Sequence, residues 1–595
     1  MIDPNLRNTY ANKAISQIPR LLGNMDRNSY SPTYGCFHRD YWLDKTSDFP
    51  DAVRQFGVHA LALVYVHDFP NNIYKGKKKI RDWAIAAMHF WATIQHKDGS
   101  FDEFYPYERG WVGPTAFTAY TIIESYHLLK EEIPQEAKEQ ILQAIRNAAY
   151  FIAKGETEED HLANHHAMAC LALWKSYELL KEEKIKKAYD KAWQTFLTYH
   201  NFDEGWSREY DGTDPGYLSA TVSFLGKVYQ SNPSEEIFKV LKQSVEFSSH
   251  FVYPNGYYAG SMGSRNTLHF YPHGYEILAK EVPMASAVAE KMLEGLSENK
   301  LVPPEIISDR YVFYRVPEFL LAYLDYQRDE VQQARLPYQE AGLERYYKQS
   351  RIFVKTTGKH YTIANFAKGG VVKVFDLESN KLVFNDCGMI GKLENRYKEK
   401  GTRIRKDGEW STEQRTEDTE QGKPDYSNIT NSKKGTGKIV TSQWVDPDYQ
   451  VTYYGSSIEV TGFLNHVPSN KLFTPLKNIV FRTTLMALGW YPPFAHFLKG
   501  QIRKALILGQ RKAPVKFTRK LEIKDENISL QDKIELTGND YFSSLSIGDE
   551  FFVRYVPQSR YFQAQELEVE GYELSEDELK QLNEEKTFSR NKIID

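Results

Sequence analysis

Two similar stretches of sequence indicate the fold: QHKDGSFDEFYPYERGWVGPTAFTAYTII (residues 95–123) and YHNFDEGWSREYDGTDPGYLSATVSFL (residues 199–225). Each contains a turn rich in Gly, acidic and aromatic residues, then a second turn with Gly and Pro, and then a helical pattern. A repeat of helix pairs predicts an α/α toroid, in which the loops at one end of the ring form a cleft.

The first part of the chain is helical throughout. Between about residue 50 and residue 330, apolar residues recur at positions i, i+3, i+4 and i+7, the spacing of a helix with one buried face. Clear examples are IRDWAIAAMHFWATIQH (residues 80–96) and EQILQAIRNAAYFIAKG (residues 139–155). We therefore predict an incomplete α/α toroid over residues 1–345.

The second part of the chain alternates between polar and apolar residues and is rich in Val, Ile, Tyr and Thr. RIFVKTTGKHYTIANFA (residues 351–367) and YQVTYYGSSIEVTGFLNH (residues 449–466) show this pattern. Such segments, separated by short turns, predict an antiparallel β-sandwich over residues 346–595. A polar, charged insertion at residues 395–438 predicts a mobile loop. The expected fold class is α+β with two domains.

The composition excludes several classes of protein. Of 595 residues, 41% are apolar and 26% are charged, which is ordinary for a globular protein. A net charge of −4 provides no general attraction to nucleic acid. The N-terminus lacks the apolar segment of a signal peptide, and no stretch is long enough to span a membrane, so we expect a cytoplasmic location. Three dispersed cysteines suggest neither a metal site nor a disulfide framework.

The stretch HLANHHAMACLAL (residues 161–173) places an amide and two imidazoles at the start of an apolar helix. Free backbone N–H groups and the helix dipole make such a position favourable for an anion. Asn164 would then be one ligand of the anion and His165 another, with His166 packing behind them. An asparagine here is also an ordinary helix cap.

Polar and aromatic side chains also collect in two later loops of the helical region. These candidates for the site are Trp206, Arg208, Glu209, Tyr210 and Tyr217 in the first loop, and Tyr258, Arg265, Asn266, His269, Tyr271 and His273 in the second.

This set of residues suits β-elimination in a polymer of uronic acids. Hydrogen-bond donors that neutralise the uronate carboxylate make the C5 proton removable. A Tyr or His can then take that proton, and a Tyr or His can protonate the leaving glycosidic oxygen. Because no water attacks the sugar, paired carboxylates are not required.

The toroid, the Asn164–His165 pair, a tyrosine further along in a Gly-rich acidic loop and the sandwich together resemble the heparinase II/III-like polysaccharide lyases. KGGVVKVFDLESNKLVFNDCG (residues 368–388) is similar to the start of that family's sandwich. The resemblance implies that Asn164 and His165 neutralise the carboxylate. It also implies that Tyr217 is the catalytic base and acid, with Tyr210 as its rival and His269 as a further candidate.

The resemblance also implies an acidic polysaccharide or oligosaccharide as substrate and no catalytic cofactor, with a structural divalent metal in the β domain left open. A further His or Tyr from the β domain would be expected at the site, for which His360, His466 and His496 are candidates.

Two other functions remain open at this stage. A glycoside hydrolase on an α/α barrel would use a pair of carboxylates, for which the candidates are Asp98, Glu103, Asp203, Glu204, Glu209 and Asp211. A non-catalytic carbohydrate-binding protein of exopolysaccharide assembly would use the aromatic loops for binding alone. The segment 482–520, in which apolar clusters alternate with Lys and Arg, predicts either helices packed on the sandwich or a peripheral contact with a membrane.

Overall fold

The computed structural model describes residues 5–108, 111–155, 161–327, 334–395, 404–406, 409–411, 437–455, 457–468, 474–503, 511–524, 527–550, 561–568 and 571–594. Most of the insertion predicted to be mobile, residues 395–438, lies outside this part of the chain.

Helices form most of the regular secondary structure in the first part of the chain. They are α1 (Asn8–Ile15), α2 (Ile18–Asn24), α3 (Arg39–Trp42), α4 (Gly57–Val66), α5 (Lys78–Thr93), α6 (Val112–Leu129), α7 (Gln135–Lys154), α8 (Ala163–Leu180), α9 (Glu183–Leu197), α10 (Pro215–Ser231), α11 (Glu235–Ser249), α12 (His273–Leu278), α13 (Pro283–Ser297) and α14 (Val312–Leu324).

These helices form two concentric layers. In the inner layer α4, α6, α8, α10, α12 and α14 each pack on the next, and α14 packs on α4. Outer helices such as α7 bury a single stripe of apolar residues, whereas inner helices such as α6 and α10 are buried nearly all round. A helix surrounded by other helices must be apolar on every side, while an outer helix keeps one polar face in water. The helical region is an α/α toroid, as predicted.

Antiparallel strands follow. A small sheet within the toroid contains β1 (His200–Asn201), β2 (Trp206–Glu209) and β3 (Gly212–Thr213). The later strands are β4 (Glu344–Tyr347), β5 (Ile352–Thr356), β6 (His360–Asn365), β7 (Val371–Asp376), β8 (Lys381–Asp386), β9 (Met389–Asn395), β10 (Ile404–Lys406), β11 (Glu409–Ser411), β12 (Lys438–Thr441), β13 (Gln450–Tyr453), β14 (Ser457–His466), β15 (Lys512–Ile523), β16 (Ile528–Leu536), β17 (Asp540–Ile547), β18 (Tyr572–Glu573) and β19 (Thr587–Ile594).

Three further helices belong to the β domain: α15 (Pro475–Leu488), α16 (Pro492–Arg503) and α17 (Glu576–Glu585). The strands β4 to β8 form one sheet in sequence order, and a larger sheet runs β18-β17-β9-β12-β14-β15-β16-β19, with β13 beside β14. The segment 482–520 thus contains the second half of α15, all of α16 and part of β15.

The five-stranded sheet of β4 to β8 is the middle layer of the protein. On β5, Ile352 and Val354 pack with the toroid core, whereas Phe353 between them packs with the larger sheet. Successive side chains of a strand point to opposite faces, so both faces of this sheet are covered. The result is a toroid packed against a two-sheet antiparallel sandwich, as the sequence predicts.

Contacts across the two domains occur at one end of the toroid. The Lys368 ammonium, buried beside β7, donates to the carbonyl oxygens of Ser261 and Gly263 at 2.7 and 2.9 Å. Asn365 donates to the carbonyl of Met262 at 2.7 Å. The loop that precedes α12 is therefore held by the sandwich.

Candidate active site

The beginnings of the inner helices α6, α8, α10 and α14 lie together at the end of the toroid that faces the β domain. Inner helices alternate along the chain with outer helices, so all of them run in the same direction and start at the same end. The site candidates Asn164, His165 and Tyr217 belong to the first turns of α8 and α10.

Asn164 is held by a buried carboxylate. Glu209 Oε1 accepts the Asn164 backbone N–H at 2.6 Å, and Glu209 Oε2 accepts Nδ2 of the same residue at 2.9 Å. Burial raises the pKa of Glu209 well above its ordinary value, while the two bonds from Asn164 and the charge of Arg265 oppose that rise. The start of α8 therefore binds a carboxyl group, and that group belongs to the protein itself.

His165 is oriented by Trp111, the residue before α6. The Trp111 indole Nε1–H donates to His165 Nδ1 at 3.0 Å, and the two rings lie nearly parallel, 14° apart. An indole N–H can only donate, so Nδ1 is the acceptor and the proton of the neutral imidazole lies on Nε2. Gly113 permits this approach, since a Cβ there would stand 3.0 Å from both rings.

Tyr210 and Tyr217 form a pair, with ring centroids 6.2 Å apart. The Arg265 guanidinium lies 4.1 Å from the centroid of the Tyr210 ring and pairs with Asp211 at 2.8 Å. Tyr210 has a positive φ of 60°, which is unusual for a residue with a side chain. Its backbone N–H donates to the carbonyl of His161, so the strained residue is tied to the start of α8.

The β domain contributes two groups to this end of the toroid. The Tyr561 ring packs edge-on against His269, with centroids 5.1 Å apart. The Lys499 ammonium, on α16, lies 3.6 Å from the centroid of the Trp111 ring. The Phe104 and Trp111 rings also stack, with centroids 5.1 Å apart, so Phe104, Trp111 and His165 form an aromatic row. The Lys499 ammonium lies above this row.

Comparison with known proteins agrees with this architecture. Residues 71–294 match the family model of the ulvan lyase N-terminal domain. The helical region is therefore similar to the N-terminal domain of ulvan lyases, and two solved polysaccharide lyases share the fold. A Paenibacillus xanthan lyase is similar in structure with a TM-score of 0.50 and 10% sequence identity, over 91% of this chain and 46% of that chain.

A second similar structure is the Streptomyces coelicolor A3 chondroitin AC lyase in complex with chondroitin sulphate, with a TM-score of 0.49 and 9% identity, over 91% of this chain and 68% of that chain. This chain spans less than half the length of the xanthan lyase. No curated protein matches the sequence. The resemblance to polysaccharide lyases is confirmed, while its narrower heparinase II/III-like form stays a prediction.

Some of the residues predicted to bind substrate lie in the core of the protein instead. Tyr258 is buried and donates its hydroxyl to the carbonyl of Pro215 at 3.0 Å. His273 is buried beside Asp325, 2.6 Å away. It lies deep in the ring because Gly274 packs directly on the backbone of Ser223, two turns into α10. Both assignments are corrected to structural roles.

Other predicted binding residues face away from the tyrosine pair. On β2 the side chains alternate, so Glu209 points into the protein while Trp206 and Arg208 point outward. The Arg208 guanidinium stacks on Tyr199, 4.9 Å from the ring centroid, and Tyr199 stacks on His166. This agrees with the packing role predicted for His166, but not with a substrate contact for Arg208.

Asn266 and Tyr271 also have partners within the protein. Asn266 accepts a hydrogen bond from Lys368, which makes it part of the domain interface. Tyr271 lies beneath the Arg315 guanidinium, 4.5 Å away, and burial raises its pKa. The His269 ring packs edge-on against both Tyr271 and Tyr561, with centroid distances of 6.3 and 5.1 Å.

The acidic residues proposed for a hydrolase have structural partners. Glu204 accepts hydrogen bonds from the backbone of Gln349 and Ser350, which joins the toroid to the β domain. Asp211 pairs with Arg265, and Glu209 with Asn164. Glu103 and Glu108 are buried near Lys499 and Arg310, and burial raises the pKa of both.

The sequence did not predict three residues of the candidate site, which are Trp111, Lys499 and Tyr561. Trp111 lies in the first of the two similar stretches, and its position directly before α6 could have identified it. Lys499 and Tyr561 come from the β domain. A His or Tyr from that domain was expected at the site, but the candidates were His360, His466 and His496. His360 lies on β6 opposite Asp376, within the middle sheet.

Among the described residues, no helix combines the length and apolar character needed to cross a bilayer. In the same part of the chain, His, Cys, Asp and Glu nowhere gather in a group of three suited to a metal ion. The structural metal and the cytoplasmic location both stay predictions.

Proposed function

We propose that the protein cleaves a uronic-acid-containing polysaccharide or oligosaccharide by β-elimination. The observation that carries the proposal is the pair of N–H donors at the start of α8. Glu209 orients the Asn164 amide, and Trp111 sets the His165 tautomer that bears a proton on Nε2. Two adjacent, preoriented donors match the two oxygens of a carboxylate.

In this mechanism the second Nδ2 hydrogen of Asn164 and the Nε2–H of His165 bind the uronate carboxylate. The positive end of the α8 dipole adds to the same effect. Neutralising the carboxylate stabilises the enolate that forms when the C5 proton leaves, because negative charge moves onto the carboxylate oxygens in that step.

Tyr217 removes the C5 proton, as a phenolate, and becomes a phenol. The electron pair of the C5–H bond forms the C4=C5 double bond, and the C4–O4 bond breaks. Tyr217 then returns its proton to the departing O4, so that the enzyme is regenerated. Arg265 places a positive charge beside the tyrosine pair, and such a charge favours the ionised form of a phenol.

The Phe104–Trp111 row and Lys499 provide a place for a neighbouring sugar. Apolar sugar faces stack on aromatic rings, and the ammonium above Trp111 would pair with an acid group of that sugar. The matching family and the two similar structures are named as lyases of ulvan, chondroitin and xanthan. Ulvan, chondroitin sulphate and xanthan are acidic polysaccharides, and they fit this arrangement.

A product assay tests the proposal. The purified protein is incubated with ulvan, alginate, chondroitin sulphate, hyaluronan, glucuronan and xanthan, and the unsaturated uronate is followed by its ultraviolet absorbance. We expect absorbing products from at least one polymer, and none from Asn164→Ala. The control Asn147→Ala, on the outer helix α7, should retain activity. New reducing ends without absorbance would indicate a glycoside hydrolase instead.

A further inference from the structure

The helices α15 and α16, with the turn between them, form a hairpin (residues 475–503) inserted between β14 and β15. It rests on the toroid through a small contact area. Leu485 and Ala495 are buried, and Gly489 lies directly against Tyr107 of the toroid. The Phe481 ring meets Tyr105 edge-on at 5.6 Å, and Arg482 pairs with Asp48 at 3.3 Å.

Many other side chains of the hairpin are apolar and face solvent. These side chains are between 46% and 72% exposed, and they are Leu476, Ile479, Val480, Met486, Leu488, Trp490, Tyr491 and Phe497. Single exposed apolar residues are common on protein surfaces, but eight within one helical hairpin indicate an interaction surface. Two of the aromatic residues, Trp490 and Tyr491, occupy the turn itself.

The charged residues of the hairpin itself have one sign. The sequence contains no Asp or Glu between Glu459 and Glu522, although the whole chain has a net charge of −4. Lys and Arg recur throughout the same interval, and Lys477 is exposed on α15 among the apolar side chains. A surface that is apolar and cationic complements one that is apolar and anionic.

We propose that the hairpin binds the surface of an anionic lipid bilayer. Trp and Tyr side chains favour the headgroup level of a membrane, and neighbouring aliphatic side chains enter the acyl boundary. A soluble acidic polymer has no apolar region to accept Leu476, Ile479 or Met486, so a bilayer fits the observed surface better. Because α16 also bears Lys499, the bound membrane would lie beside Trp111 and the candidate active site.

Vesicle sedimentation tests this proposal independently of any catalytic activity. The full chain is mixed with phosphatidylcholine vesicles containing about one third phosphatidylglycerol, and with vesicles of phosphatidylcholine alone. We expect sedimentation with the anionic vesicles that added salt weakens, and much weaker sedimentation with the neutral ones. The double variant Trp490→Ser/Phe497→Ser should lower the apparent affinity at least about tenfold.

Ile73→Ser is the matched control, because Ile73 is 72% exposed but lies on the toroid. This variant should sediment like the wild type. Three results would overturn the proposal: no sedimentation of the wild type with anionic vesicles, equal sedimentation of the double variant, or equal loss in the control. A solution dimer that the double variant dissociates, without vesicle binding, would assign the surface to a second copy of the chain.

Discussion

Glu209 holds Asn164 by two hydrogen bonds to the same residue, one to its backbone N–H at 2.6 Å and one to its side-chain Nδ2 at 2.9 Å. The carboxylate thereby decides which end of the amide faces the protein and which way its remaining N–H points. The sequence predicted Glu209 to bind substrate. In the structure it is a positioning residue for Asn164, another candidate.

Replacing Glu209 by Gln should therefore reduce turnover more than binding. The Glu209 side chain has two acceptor oxygens, whereas a Gln side chain has one oxygen and one NH2 group. One of the two Asn164 N–H donors would then face the NH2 group, and the Asn164 side-chain amide would shift. We expect kcat to fall about 10- to 100-fold with a smaller change in KM, measured by absorbance of the unsaturated product. Glu204→Gln, in the same small sheet region, is the control. An unchanged kcat in Glu209→Gln would remove the positioning role.

Trp111→Phe separates the hydrogen bond of Trp111 from its stacking. Phenylalanine keeps an aromatic ring beside His165 but lacks the N–H that donates to Nδ1. His165 can then adopt the other tautomer, in which Nε2 accepts instead of donating, so we expect kcat to fall about tenfold with a smaller change in KM. A variant with a higher KM but an unaltered kcat would limit Trp111 to sugar stacking.

The two tyrosines of the pair can be told apart by removing single hydroxyls. We expect Tyr217→Phe to lose at least about 100-fold in kcat, the usual contribution of a general acid–base group, and Tyr210→Phe to lose less. Tyr258→Phe, which removes a hydroxyl bonded in the core, controls for stability effects and should remain active. The reverse order of the two losses would make Tyr210 the base.

Stability should fall with rising pH through the titration of Glu108. Burial raises the pKa of this carboxyl from 4.5 to about 8. A carboxyl whose pKa is higher in the folded state binds its proton more tightly there, so its contribution is complete below pH 4.5 and is lost as the pH rises through about 8.

Glu108→Gln should make this decline shallower, because the amide does not ionise. We expect the difference in unfolding free energy between pH 5 and pH 8 to shrink by about 2–4 kcal/mol, measured by denaturant titration. Glu136→Gln, in the exposed first turn of α7, serves as the comparison. An identical pH dependence in Glu108→Gln and wild type would contradict the assignment.

Arg519 joins the two sheets of the sandwich. This fully buried side chain bonds Asp532 at 2.7 Å and Asp386 at 2.6 Å, the latter on β8 of the middle sheet. Arg519→Met leaves the carboxylates without that cation, and we expect a loss of about 3–5 kcal/mol in unfolding free energy. Arg519→Lys keeps the charge and should lose less. Equal stability of Arg519→Met and wild type by denaturant titration would refute this.

The sequence by itself determined the class of the fold and supplied the candidates for the site. Helical periodicity and strand alternation are local properties, because the chain geometry repeats every few residues. They predicted the toroid and the sandwich. Asn164 and His165 became candidates because the start of a helix can be recognised in a short segment, and the loop with Tyr210 and Tyr217 became one because it repeats a turn of the same composition.

Only the tertiary structure decided what each of these side chains contacts. Glu209 points inward because β2 pairs with its neighbours in one register, and His273 lies deep in the ring because Gly274 packs on α10. Lys499 reaches Trp111, and Tyr561 reaches His269, across hundreds of residues of sequence. Such contacts depend on how distant segments pack, and no local pattern records that packing.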